Sequence, residues 1–303
     1  MLRVRLLSGM SILIPLIGLM IADFRWNGGA PGVWLAPFCL IASLAAAAEI
    51  LGLLRNKEHN VVSWSVYIGV TLILAGAFAP MAWQLAGAVY PVDCPLAGMG
   101  LPMSAATAAL AIVFVAEMRR YREPSGVIVN VALAVFAIMY IGLLMSFVVK
   151  LRMFHDNAWG MAALVSLAFV AKWSDVGAYA CGRTFGRHKM APLLSPNKTI
   201  EGAVGGVVFA AIASLVFFYV LVPLIVGADA RVPEWWGCLV YGVVIALAGI
   251  IGDLSESLLK RDMERKDSSR WLPGLGGVLD ILDSVLMAAP PAYLCWVAGL
   301  VGP

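Results

Sequence analysis

Nine stretches of about twenty apolar residues run through this sequence, near 6–23, 33–54, 61–85, 101–117, 126–149, 158–180, 200–226, 236–259 and 281–301. Each is long enough to cross a hydrocarbon layer about 30 Å thick. In lipid the backbone must satisfy its own hydrogen bonds, and runs of this length do so as helices. Composition agrees, with 62% of the 303 residues hydrophobic and 13% charged, against about 45–50% and about 25% in soluble domains. The expected fold class is an all-α polytopic membrane protein of about nine transmembrane helices. Soluble globular, disordered, collagen-like and disulfide-scaffold classes are excluded by the same proportions.

A formal charge of +3 is too small to call for a nucleic-acid partner. The five cysteines (Cys39, Cys94, Cys181, Cys238, Cys295) form no CxxC pair, and His59, His155 and His188 lie in separate connections without ligand spacing. Arg3 and Arg5 precede the first apolar run in the manner of a signal peptide. That run is long and lacks an A-x-A site, so it is read as a retained span. Lysine and arginine placement then sets the topology. With nine spans, sixteen basic residues fall on the side of the N-terminus and four on the other. The N-terminus is expected in the cytoplasm and the protein in the cell (inner) membrane.

Polar residues are unevenly spread. Residues 1–170 keep their charges in short connections and read as a transmembrane scaffold half with possible oligomer contacts. Residues 171–303 hold three polar clusters at or inside spans, so the chemistry is expected there. The first cluster runs from Lys172 through Ser174, Asp175 and Gly177 to Gly186 and Arg187. Its plain reading is an ion pair between Lys172 and Asp175, three apart on a helix. The second is Ser195-Pro196-Asn197-Lys198-Thr199-Ile200-Glu201-Gly202. Here Thr199 suits a helix cap with an acid after it, and amides beside a lysine also make an anion site.

The third cluster runs from Gly252 and Asp253 to Asp267 and on to Asp283. At about 100° per residue from Asp253, Glu256, Ser257 and Lys260 all fall within about 60° of it on one helical face. Such a stripe must line a cavity or a partner rather than lipid. Asp280 and Asp283, three apart, share a face at the start of the last span. With Asp253 and Glu256 they offer the hard oxygen donors that Mg²⁺ takes, or they simply complement a helix dipole.

The stretch from Ser257 to Asp283 resembles the signature of the phosphatidate cytidylyltransferases (CDP-diacylglycerol synthases). It matches at Ser257, Lys260, Arg261, Lys266, Asp267, Pro273, Gly274, Gly276, Gly277, Asp280 and Asp283, eleven of 27 positions. The segments 175–186 and 195–206, with SPNKT-x-EG, are similar to that family as well. Two positions depart: Leu275 stands where the family has histidine, and Ile281 where it has arginine.

The resemblance implies transfer of a cytidylyl group from CTP to phosphatidic acid, with CDP-diacylglycerol and pyrophosphate as products. Asp253, Asp280 and Asp283 would then ligate Mg²⁺, and whether a monovalent cation joins it is open. Lys198, Lys260, Arg261 and Lys266 would neutralise the triphosphate and the lipid headgroup, and Asp267 would orient Lys266 or Arg270. Asp175, Ser195, Asn197, Thr199, Glu201, Ser257, Gly276 and Gly277 would shape the substrate site. A homodimer is implied too. Other readings stand beside it: a diverged relative with another lipid substrate, an inactive membrane scaffold, or a transporter, the last of which calls for acids spread over several spans and an inverted repeat.

Overall fold

The computed structural model describes every residue except 1, 58, 89, 92, 93, 95, 123–125, 266, 270 and 273–275, together with the side chains of all but 2–8 and 56 among the rest. The chain is an all-α polytopic membrane protein. Its helices are α1 (Leu2–Arg25), α2 (Leu35–Asn56), α3 (Ser63–Ala77), α4 (Ala79–Leu85), α5 (Gly100–Arg120), α6 (Val127–Arg152), α7 (Asn157–Phe185), α8 (Ile200–Val226), α9 (Trp235–Asp262) and α10 (Leu279–Val297). An antiparallel hairpin, β1 (Lys189–Ala191) and β2 (Ser195–Thr199), joins α7 to α8.

Among the described residues six helices are long and apolar enough to cross a membrane, or seven if α3 and α4, bent by 58°, form one broken span. The expected nine is not reached by that measure. The ninth expected run becomes α10, whose apolar character is diluted by Asp280, Asp283, Pro290 and Pro291. The first becomes α1, whose side chains are described only from Gly9 onward.

Two compact units organise the chain, one of Met1–Lys150 with Met263–Ile281, the other of Leu151–Asp262 with Leu282–Pro303. Segment 263–281, expected to belong with the C-terminal half, thus packs within the unit built on the first 150 residues. In that first unit the core is apolar and close: Val66, Val70, Ile73 and Ala77 of α3 are fully buried with Ala109 of α5 and Ile141 of α6. Gly69 and Gly76 let the backbones approach, because a Cβ at Gly76 would stand 3.0 Å from the Leu101 carbonyl. Without a hydrophobic drive between helices in lipid, small residues of this kind are what permits dense packing.

The second unit uses the same device more heavily. A Cβ on Gly177 of α7 would lie 2.5 Å from the Phe209 side chain of α8, and one on Gly202 2.9 Å from the Ala178 carbonyl. Gly205 lies against Cys181, and Gly242 of α9 faces the backbone of Ala210 and Ala211. Buried aromatics fill the remainder, with Phe218 edge-on to Tyr241 and tilted against Trp296. Their polar atoms are satisfied internally, as lipid-depth burial demands: the Tyr241 hydroxyl lies 2.7 Å from Ser166 Oγ, and Trp296 Nε1 donates to the same oxygen at 3.3 Å.

Candidate active site

The first unit holds the glycine-rich end of the signature. Two carboxylates order it. Asp280 Oδ2 accepts from the amide of Ser268 at 3.0 Å, from its hydroxyl at 2.6 Å and from the Gly277 amide at 2.8 Å. Glu49, reaching over from α2, binds the same turn with both oxygens. Its Oε1 accepts from Ser269 Oγ and the Val278 amide, each at 2.8 Å, and its Oε2 from Ser268 Oγ and the Leu279 amide, each at 2.9 Å. Two of those donors are orphan amides at the start of α10, which a carboxylate satisfies while also complementing the positive helix end.

This arrangement explains the paired glycines. Gly276 has a φ of +92°, and a Cβ there would stand 2.5 Å from Asp280 Oδ2. A Cβ on Gly277 would collide with Ser268 Oγ and with both Glu49 carboxylate oxygens. Glycine is needed at the first position for its backbone conformation and at the second for space. A peripheral ion pair joins the same segment to α2, with Lys57 Nζ 2.6 Å from Glu264 Oε1. The hydrogen bond and charge of that ammonium hold the Glu264 carboxyl below the usual carboxylate range.

The second unit holds the cationic part. Thr199 caps α8 as expected, its Oγ1 accepting the Gly202 amide at 3.1 Å. The preceding residue, Lys198, lies in β2, whose hairpin delivers its ammonium to α9, 2.6 Å from Asp253 Oδ2. About two turns farther along α9, Lys260 Nζ stands 2.5 Å from Glu256 Oε2, a carboxylate whose residue is 1% exposed. Arg261 Nε donates to the Leu194 carbonyl at 3.1 Å, fastening the hairpin to the end of α9. The Glu201 carboxylate faces the chain before the hairpin, accepting the Arg187 amide at 3.0 Å and lying 2.6 Å from His188 Nδ1.

Asp283 is buried in the same unit, within electrostatic reach of Asp253, Lys172 and Asp175. The bare Cα of Gly252 packs on its carbonyl. Lys172 and Asp175 form the expected ion pair at 2.9 Å. Within neither unit do three or more His, Cys, Asp or Glu side chains among the described residues gather as a metal cluster.

Of the residues singled out from sequence, the structure thus brings Lys198, Asp253, Lys260, Arg261, Asp283 and Asp175 into the second unit, and Gly276, Gly277 and Asp280 into the first. Ser195 begins strand β2 and is half-buried, Asn197 within it is exposed, Ser257 is half-buried on α9, and Asp267 is exposed. Lys266, Arg270, Pro273, Gly274 and Leu275 lie outside the described residues. Sequence reading passed over Ser268 and Ser269, and marked Glu49 only as an acid stranded from the others near the cytoplasmic end of the second span. One signal was available, since a lone acid inside an apolar run is costly unless partnered.

The chain is 39% identical over 137 residues to a phosphatidate cytidylyltransferase of Haemophilus influenzae, which is 45% of this chain and 46% of that protein. It is 43% identical over 140 residues to the protein of that name from Brucella suis, covering 46% and 48%. A Mycobacterium bovis protein of the same name is 37% identical over 175 residues, covering 58% and 52%. The chain spans about half the length of the curated relatives it matches. The sequence model of the Cytidylyltransferase family extends over residues 4–298. With nearly its whole length matched, this chain belongs to the cytidylyltransferase family.

Proposed function

We propose that this protein transfers the cytidylyl group of CTP to phosphatidic acid, giving CDP-diacylglycerol and pyrophosphate, with its site open to the cytoplasm at the inner membrane. One observation carries the reading: the ion pair between Lys198 and Asp253 unites two motifs 55 positions apart in sequence, beside Lys260 and Arg261. Cations held in this way suit a polyanionic substrate. With the nine spans read from sequence, sixteen basic residues would fall on the N-terminal side, which fits a cytoplasmic nucleotide.

An oxygen of the lipid phosphate attacks the α-phosphorus of CTP, a new P–O bond forms, and the bond to the β-phosphate breaks as pyrophosphate leaves. The lipid phosphate is already an anion, so no side-chain nucleophile is required. What the protein supplies is position and charge. Lys198 and Lys260, each preset by a carboxylate, bind phosphate oxygens, and Arg261 braces the hairpin that bears Lys198.

The donors of the second unit suit Mg²⁺, which takes one or two carboxylates and fills its remaining positions with water and substrate phosphate. Asp253 and Asp283 would hold it, and when bound it would offset charge on the triphosphate. Asp280 is assigned to ordering the glycine turn, where its Oδ2 already takes three hydrogen bonds.

The test is a micelle assay with CTP, phosphatidic acid and Mg²⁺, run on wild type beside Asp253→Asn. Wild type should yield CDP-diacylglycerol, and Asp253→Asn should fall by about 100-fold or more while keeping its helicity. Well-folded wild type without product would overturn the reading. It would favour the diverged relative suggested by Leu275 and Ile281, the first residues to restore.

A further inference from the structure

We infer that Glu49 is a positioning residue for the signature turn: a carboxylate from the N-terminal half of the chain ties Ser268 and Ser269 to Val278 and Leu279. The inference deepens the proposed cytidylyl transfer and rests on it only where turnover is measured. Glu49 lies on α2 about two turns from its C-terminal end, flanked by the buried residues Ala46, Ala47, Ile50 and Leu51, and is itself 3% exposed. An ionised carboxyl in such a place is tolerated only when its lone pairs are met, and four donors meet them. All four belong to one turn, two hydroxyls at its beginning and two amides at its end.

The carboxylate therefore acts as a clasp. It ties Ser268 and Ser269 to Val278 and Leu279, fixes the first amides of α10 and fills the space that a side chain at position 277 would need. Asp280 shares Ser268 Oγ with it, at 2.6 Å against 2.9 Å for Glu49. Losing Glu49 thus releases one of the two acids that hold Ser268. Because α2 is packed along its length, the clasp is rigid, which is what a residue that fixes another's position requires.

Two measurements on the full-length protein in lipid micelles test this. The first is amide hydrogen exchange. Glu49→Gln keeps the size but turns an amide NH₂ toward hydroxyls and amides that are already donors, so exchange over 276–279 should quicken about 10- to 100-fold. Peptides from α7 to α9 should exchange as in wild type. The second is steady-state kinetics, where kcat should fall about tenfold or more with KM for CTP within about twofold, and Glu49→Asp should restore part of the loss.

Wild-type exchange over 276–279, or wild-type kcat, in Glu49→Gln would overturn the inference. If wild type itself turns over no substrate, the cytidylyl reading fails and exchange alone decides the role of Glu49. If Glu49→Gln does not yield folded protein, Ser269→Ala serves in its place, because it removes one donor of the four. Faster exchange at Val278 is then expected, and an unchanged rate would overturn the inference.

Discussion

The two polar regions of this molecule use their carboxylates in opposite ways. In the segment 263–281, Glu49 and Asp280 are bound by peptide amides and serine hydroxyls. On α9, Asp253 and Glu256 are bound by the ammonium groups of Lys198 and Lys260. An acid bound by amides fixes backbone. An acid bound by a lysine holds a cation at a defined point, from which it can also meet a phosphate. The first region makes a shape and the second a field.

That contrast is broken most severely by Gly277→Ala. Its methyl group would occupy space held by Ser268 Oγ and both Glu49 oxygens, with rigid α2 behind them. We expect a loss above about 5 kcal/mol, seen as poor recovery from the membrane or, in recovered protein, a collapse of turnover to background. An intermediate effect is expected of Lys260→Met. It removes the cation from a carboxylate that is nearly inaccessible to solvent, and breaking a buried pair from one side costs about 3–5 kcal/mol. Thermal unfolding should shift downward, and Glu256→Gln in the same protein should restore most of the loss by removing the stranded charge.

The smallest effect belongs to Glu264→Gln. Both members of its pair with Lys57 are exposed, and solvent screens such pairs. Its carboxyl is held below the ordinary range, so its small stabilising contribution is present above the unfolded pKa, about 4.3. That contribution is lost as pH falls through the lower folded value. The thermal midpoints of wild type and Glu264→Gln should differ by about a degree or less near pH 7 and converge in acid. A large difference at pH 7 would give this surface pair the weight assigned here to Glu49.

Much of this was legible in the sequence. Apolar length marked the helices because lipid leaves a backbone few alternatives. Local chemistry marked the Thr199 cap and the Lys172–Asp175 pair, whose partners lie three positions apart. The hairpin was not legible: its strands of three and five residues carry Pro196 and no apolar alternation. Glu49 stood out in the sequence as an acid remote from the other acids, yet its partners are 219 to 230 positions away, and no periodicity encodes a contact at that range. The same contacts draw 263–281 away from the half in which composition had placed it.

That separation also has a consequence in time. Ribosomes add about 5–20 residues per second, so at a separation of 219 residues Glu49 is made roughly 10–45 seconds before Ser268. During synthesis α2 has to enter the membrane with a carboxyl group whose four donors do not yet exist. The acid is then a debt carried by the nascent chain, settled only when the last helix begins, and insertion of the N-terminal half and closure of the signature turn become steps of one assembly.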